Sequence, residues 1–309
     1  MIRSYRVAAS CFEPDLKHSI AERRNSLCTH LTDLLSEQSL DFVVLPELAI
    51  IPDLDKHNSV PAETINGPTV TGVTGLARKF NTGIVIPIIE KDGDTFYNTA
   101  VFVSRDGQVA GRYRKNIPTR IELDLGIRPG ELNPDPVAID GFRIGSAICY
   151  DENYPDLIWN WIRKKIDIMI FPSYTYAGRL ISAWSLHCGV PLIAAFPWEA
   201  VIYDRDGNML AEGGSWTTTI RFGFHPAWIT CQLDMQSRIY HLDYNQSKIT
   251  DMHARYGSKL DIRLMVKEAR MLITAVSDDV SIEQVEREME LMPLQEYLVE
   301  TRALADKLR

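Results

Sequence analysis

The apolar run Phe42-Val43-Val44-Leu45, stopped by Pro46 and followed at once by Glu47, constrains the fold more than any other stretch of the chain. A strand with one face in water alternates apolar and polar residues, so a short unbroken run marks a strand covered on both faces. Such strands belong to α/β proteins, in which helices cover the faces of a sheet. Proline cannot extend the hydrogen-bond ladder, so the run ends at Pro46 and delivers the Glu47 carboxylate to the end of a buried strand. A carboxylate placed there is buried, paired or functional. Taken alone, the segment leaves open a helix-capping or salt-bridged glutamate as well as a catalytic one.

The same alternation of short apolar runs with amphipathic segments continues through residues 1–235. It predicts strands over 6–11, 41–46, 83–89, 97–103, 109–114, 142–149, 166–171 and 191–195. Helices are expected over 21–38, 68–80, 155–165 and 179–187, the first carrying Leu27, Leu31, Leu34 and Leu35 at near-helical spacing. A run of hairpin strands is expected over 201–203, 208–211, 216–222 and 227–233. Residues 236–309 have a different texture and read as a C-terminal extension. There Ser281 and Gln284 have capping-box spacing, opening a helix with Ile282, Val285, Met289 and Met292 on one face. Pro293 breaks it, and a second helix is expected over 294–308. The apolar stripe of these helices must pack on the main domain or on a partner subunit.

Bulk properties narrow the function. The net charge of −8 and the lack of any basic cluster longer than Arg163-Lys164-Lys165 argue against a nucleic-acid partner. No apolar run reaches the roughly 18–20 residues that cross a bilayer. The first residues lack a signal peptide's apolar stretch, so a cytoplasmic location is expected. Five scattered cysteines, Cys11, Cys28, Cys149, Cys188 and Cys231, form neither a disulfide framework nor a zinc motif. The seven histidines never fall in a ligand-spaced pair with carboxylates, so no metal and no cofactor is expected.

Two further segments put reactive side chains at strand ends, where α/β proteins concentrate function. Gly111-Arg112-Tyr113-Arg114-Lys115 ends in a lysine that, taken alone, reads as a solvent-facing charge. In Ile144-Gly145-Ser146-Ala147-Ile148-Cys149-Tyr150-Asp151-Glu152 a cysteine closes a run of small and apolar residues and meets a polar turn. That geometry aims a sulfur into a crevice and puts the Tyr150 N–H beside any oxyanion formed there. The other four cysteines read as buried and inert.

Taken in order, Leu45-Pro46-Glu47, Tyr113-Arg114-Lys115 and Gly145-Ser146-Ala147-Ile148-Cys149-Tyr150-Asp151 resemble the Glu, Lys and Cys motifs of the nitrilase, or carbon–nitrogen hydrolase, superfamily. Arg128-Pro129-Gly130 is similar to that family's turn before the nucleophile strand, and Phe171-Pro172-Ser173 to the strand end after it. The resemblance spans about residues 5–233. It implies an α/β fold of the αββα sandwich type, four-layered when two copies stack into a homodimer, or a higher homo-oligomer. It implies Cys149 as nucleophile, Glu47 as proton acceptor and Lys115 as oxyanion stabiliser. It also implies a second glutamate, for which Glu122 is the candidate and Glu131 the competitor.

Chain and family part at several places. Glu152-Asn153 follows Asp151 where the family often has an arginine, and Asn116-Ile117-Pro118 follows Lys115 where it has a histidine. His187-Cys188 and Phe196-Pro197-Trp198 replace a Glu-Asn pair and a pocket asparagine, and the C-terminal extension is long. These departures bear on substrate choice. Tyr150, Tyr174, Arg179 and Trp198 are the candidate substrate-binding residues, with Tyr176 beside them and Arg179 a possible anchor for a substrate carboxylate. The expected substrate is a small amide or N-carbamoyl compound. A nitrile is the alternative, and a catalytically silent binding or assembly protein is a further one.

Overall fold

The computed structural model describes residues 2–57, 59–214 and 228–309. In chain order the first half comprises β1 (Ser4–Ser10), α1 (Ile20–Glu37), β2 (Phe42–Val44), α2 (Pro68–Phe80), β3 (Gly83–Asp92), β4 (Thr95–Val103), β5 (Val109–Arg114) and α3 (Arg120–Asp124). There follow β6 (Val137–Ile139), β7 (Phe142–Ser146), α4 (Pro155–Arg163), β8 (Ile168–Pro172), α5 (Arg179–Cys188), β9 (Leu192–Ala195), β10 (Glu199–Tyr203), β11 (Met209–Gly214) and β12 (Trp228–Asp234). The strand expected over 216–222 lies outside the described residues, as does the first residue of the one expected over 227–233.

Two six-stranded sheets result, ordered β12-β1-β2-β3-β4-β5 and β11-β10-β9-β8-β7-β6. Each has parallel strands at its centre, β1-β2-β3 in one and β7-β8-β9 in the other, with antiparallel strands outside them. The period-two alternation of side chains decides how the layers stack. Val7, Ala9, Phe42 and Val44 share one apolar cluster with the second sheet, whereas Ala8 and Val43, between them, pack with Leu27, Leu31 and Leu34 of α1 and Val70, Val73 and Ala77 of α2. The continuous run at residues 42–45 is apolar because one face meets a sheet and the other meets helices. On the second sheet, α4 and α5 contribute Leu157, Trp161, Ile162, Ile181 and Trp184 to the shared cluster. The order is helices, sheet, sheet, helices: an αββα sandwich.

The helix expected over 68–80 forms with those bounds, because Pro68 supplies a preset φ at its first turn and Asn81 closes it in the left-handed region. The strand expected over 142–149 is shorter than its apolar composition implied and stops at Ser146. The Asp151 carboxylate accepts the N–H of Ile148, which a strand would have offered to its neighbour, and the chain turns into a 3-10 segment over Cys149–Asn153.

Beyond β12 the chain forms a third, three-stranded sheet that hydropathy did not announce. Its strands are β13 (Ser237–His241), β14 (Leu260–Met265) and β15 (Arg270–Ala275), in the order β13-β15-β14. Short helices α6 (Leu242–Asn245) and α7 (Ile249–Tyr256) separate β13 from β14. The helices α8 (Ile282–Met289) and α9 (Leu294–Lys307) follow, divided at Pro293. Ser281 caps α8 through Gln284 N–H, but the reciprocal half of the expected capping box is absent, since the Gln284 side chain donates to Glu288 instead. The stripe of Ile282 and Val285 closes a core with Tyr240, Met252 and Met271. Helix α9 lies against α4, where Leu298 and Val299 join the main cluster and Gln295 donates to the carbonyls of Ile166 and Cys188.

Candidate active site

Glu47 stands three residues past β2, and its carboxylate is 2% exposed. Its Oε1 accepts from Asn98 Nδ2 at 2.7 Å and from Lys115 Nζ at 2.8 Å, and its Oε2 accepts the backbone N–H of Tyr174 at 2.9 Å. Lys115 follows β5 directly and is 1% exposed, so the residue that in isolation reads as a surface charge is one of the most deeply buried. A buried ammonium is tolerated only where carboxylates compensate it. Here Nζ also donates to Glu122 Oε2 at 2.8 Å. Burial alone would depress the lysine pKa, but the Glu47 and Glu122 charges outweigh it and hold the ammonium well above its ordinary value.

Glu122 is positioned by a local rule. Thr119 caps α3, and Glu122, three residues on, returns its carboxylate to the Thr119 N–H, completing a capping box. The same carboxylate accepts from Asn98 through Oε1 at 2.7 Å. Burial works against its charge, and Lys115 and Asn98 reverse that, lowering its pKa. Of the two glutamates left open by sequence, Glu122 reaches Lys115. Glu131 instead meets the neighbourhood through its backbone carbonyl, which accepts from the Asn116 side chain. The Pro129-Gly130 turn packs against the end of β5: Gly130 N–H donates to Lys115 O at 2.8 Å, and a Cβ at Gly130 would lie 2.3 Å from the Arg114 carbonyl oxygen.

Cys149 opens the 3-10 turn with φ of 46°, a left-handed conformation that costs a residue bearing a Cβ of the order of 1–3 kcal/mol and is found mainly at functional sites. Asp151 holds the turn. Fully buried, it accepts from Ile148 N–H at 2.9 Å and Tyr113 Oη at 2.7 Å through Oδ2, and from Ile117 N–H at 2.7 Å through Oδ1. The segment after Lys115 and the segment holding Cys149 are thereby tied to one carboxylate. Asp151→Asn puts an amide donor against these donors and is expected to cost about 2 kcal/mol of stability, read by urea denaturation. A loss below about 0.5 kcal/mol would show that the turn holds without it.

The Cys149 Sγ lies 3.6 Å from Thr175 Oγ1. Burial and the Glu47 charge push the thiol up to about 11, against the opposing pull of Lys115. The thiol is therefore protonated at neutral pH and needs a proton acceptor to become a nucleophile. Among the described residues, no cluster of histidine, cysteine and carboxylate side chains is arranged to hold a metal ion.

The remaining candidates fall in different places. Tyr150, next to Cys149, is half-exposed and stacks edge-on against Tyr154. Tyr174 gives its N–H to Glu47 and its ring to Trp198, 5.4 Å away. Both rings line a cleft of about 430 Å³ with Thr175, Tyr176, Phe196, Glu199 and Glu212. Arg179 begins α5, is exposed, and is not in that wall. Sequence reasoning missed Asn98, which joins Glu47 to Glu122, and the binding of Asp151 to Ile148, Tyr113 and Ile117. A polar residue inside the apolar stretch of β4 was the available signal for Asn98.

Among the described residues, no helix is long and apolar enough to cross a membrane. Residues 17–236 match the family model of carbon-nitrogen hydrolases. Nitrilase 3 of Arabidopsis thaliana is 36% identical over 37% of this chain and 33% of its own length, so the chain spans about a third of that plant relative. A nitrilase of Pyrococcus abyssi is 30% identical over 59% of this chain and 69% of its own. Among solved structures, Nit3 of Saccharomyces cerevisiae, a member of branch 10 of the nitrilase superfamily, superposes with a TM-score of 0.63 at 20% identity, covering 82% of this chain and 97% of that one. An amidase from Nesterenkonia sp. gives 0.62 at 18%, covering 83% and 98%. At these identities the structural likeness speaks for the fold, while the family model covers most of the chain. The chain belongs to the carbon–nitrogen hydrolase family.

Proposed function

We propose that the protein hydrolyses a small, non-peptide amide or N-carbamoyl compound through a thioester on Cys149. The observation that carries this reading is the buried network in which Lys115 bridges Glu47 and Glu122 beside a thiol whose protonation responds to both Glu47 and Lys115. In the proposed course, Glu47 accepts the thiol proton as sulfur bonds to the carbonyl carbon. The carbonyl oxygen becomes an oxyanion, stabilised by the Lys115 ammonium and the Tyr150 N–H. The intermediate collapses with cleavage of the C–N bond, and Glu47 returns the proton to the departing nitrogen. Water, losing a proton to Glu47, then attacks the thioester, and the acid leaves as that proton returns to sulfur. Glu122 and Asn98 hold Lys115 and Glu47 at fixed positions throughout.

A second reading, hydrolysis of a nitrile, is supported by the names of the Arabidopsis and Pyrococcus relatives. The amide and carbamoyl reading has a relative of its own in the β-ureidopropionase of Arabidopsis thaliana, 27% identical over 43% of this chain. Intact-protein mass spectrometry after incubation with amides, carbamoyl compounds and nitriles tests both. An acyl adduct is expected on the wild type and none on Cys149→Ala, with ammonia release abolished in the variant. Full turnover by Cys149→Ala sinks the reading, and ammonia from nitriles alone reverses the order of the two.

A further inference from the structure

The cleft beside the nucleophile has an unusual wall. Tyr174, Tyr176, Phe196 and Trp198 supply four aromatic rings, with Tyr174 edge-on to Trp198 at 5.4 Å and Tyr176 edge-on to Phe196 at 5.2 Å. Glu199 and Glu212 complete it, and among the described residues that line it there is no lysine, arginine or histidine. Thr175 belongs to the same wall, and its Oγ1 lies 3.6 Å from Cys149 Sγ, so the wall adjoins the sulfur. Its volume of about 430 Å³ falls in the range of small-ligand sites, roughly 300–1,000 Å³.

Glu199 is the informative residue. It is only 6% exposed, and it shares the cleft wall with a second carboxyl, that of Glu212. Burial and the neighbouring Glu212 charge push the Glu199 carboxyl up to about 7, and a positive charge placed beside it would favour its ionised form. Trp198 is turned by the bond from its Nε1 to Glu13 Oε2 at 2.5 Å, which adds a third carboxylate at the rim. Aromatic faces and carboxylates are the two groups that stabilise an organic cation, the first through the ring quadrupole and the second by charge. An anionic acyl group would meet only repulsion here, and the one arginine considered for such a group, Arg179, stands outside the wall.

We infer that this cleft is a subsite for a cationic group, a primary ammonium or guanidinium carried on the substrate a short chain away from the C–N bond that Cys149 attacks. This deepens the hydrolase reading and rests on it. Glu199 and Glu212 would provide the counter-charge, and the four rings the walls that exclude water from it.

The test is a set of matched short-chain amides, N-carbamoyl amines and nitriles ending in an ammonium, a methyl or a carboxylate, given to the full chain. Wild type, Glu199→Gln and Glu212→Gln are compared by kcat/KM and by the Cys149 adduct. The ammonium member is expected to exceed its methyl isostere by about tenfold, equivalent to about 1.4 kcal/mol, and the carboxylate member by more. That ratio should fall towards one in both variants. Glu212 is exposed, so its variant keeps the test valid if Glu199→Gln does not fold. Equal rates for ammonium and methyl members, or a preference for the carboxylate, with adduct forming on Cys149, overturn the cationic subsite and leave the hydrolase reading standing. No adduct and no ammonia from any member overturn the hydrolase reading, and the subsite with it.

Discussion

Glu47→Gln is expected to lower kcat/KM by about 10²–10⁴-fold, the usual contribution of a positioned general base, while making Cys149 more reactive towards iodoacetamide. The two effects run in opposite directions for one physical reason. In the proposed course Glu47 accepts the thiol proton during attack, yet its negative charge also disfavours the resting thiolate and helps push the thiol up to about 11. Glutamine keeps the shape and removes the charge, which leaves Lys115 less compensated and lowers the thiol pKa. In the wild type, alkylation should climb about tenfold per pH unit from 7 to 9 without a plateau, because the thiolate fraction rises that way well below the pKa. In the variant the whole profile should move to lower pH. Turnover within tenfold of wild type, or alkylation slower than wild type at pH 8, would overturn the role given to Glu47.

Lys115→Met is expected to abolish turnover and to cost about 3–5 kcal/mol of stability at pH 7, the loss typical of a buried ion pair left with one sign of charge. The side chains of Glu47 and Glu122 are 2% and 7% exposed, so water cannot take over from the ammonium. The pH dependence should change sign. In the wild type the folded-state pKa of Glu122 is depressed, so its contribution is present above the unfolded value and is lost as pH falls through the folded one. Without Lys115, Glu122 loses the cation that opposes its burial and keeps the buried Glu47 carboxylate as a neighbour, so its folded-state pKa should rise. The variant should then be most deficient near neutrality and recover part of its stability as acid protonates one of them. Urea denaturation at pH 7 and pH 5 decides this, and a loss under about 1 kcal/mol at pH 7 would show that the network is not the electrostatic unit described here.

Strand β2 and the helices over 21–38 and 68–80 were legible because their signals are local: apolar periodicity, Pro68 at a helix start, a proline closing a strand. The third sheet was not. Strands β13, β14 and β15 each put only part of their residues in a core, and β14 buries Leu260 alone, so their pairing depends on partners far along the chain rather than on a run that stands out by itself. The end of β7, the strand before Cys149, differs from its expected place for a similar reason. Ala147 and Ile148 are apolar and buried, and what stops the ladder at Ser146 is the side chain of Asp151 farther along.

The sequence by itself determined the layered α/β character and the order of the three chemistry-bearing segments, whose resemblance to the family made Glu47, Lys115 and Cys149 the candidates, because strand burial and motif order are written in neighbouring residues. Only the tertiary structure decided that Lys115 is buried, that Glu122 and not Glu131 meets it, that Asn98 spans the two glutamates and that the cleft wall is aromatic and acidic. Each of these depends on side chains from different strands converging within hydrogen-bond reach, a distance set by sheet order and packing, which no stretch of consecutive residues encodes.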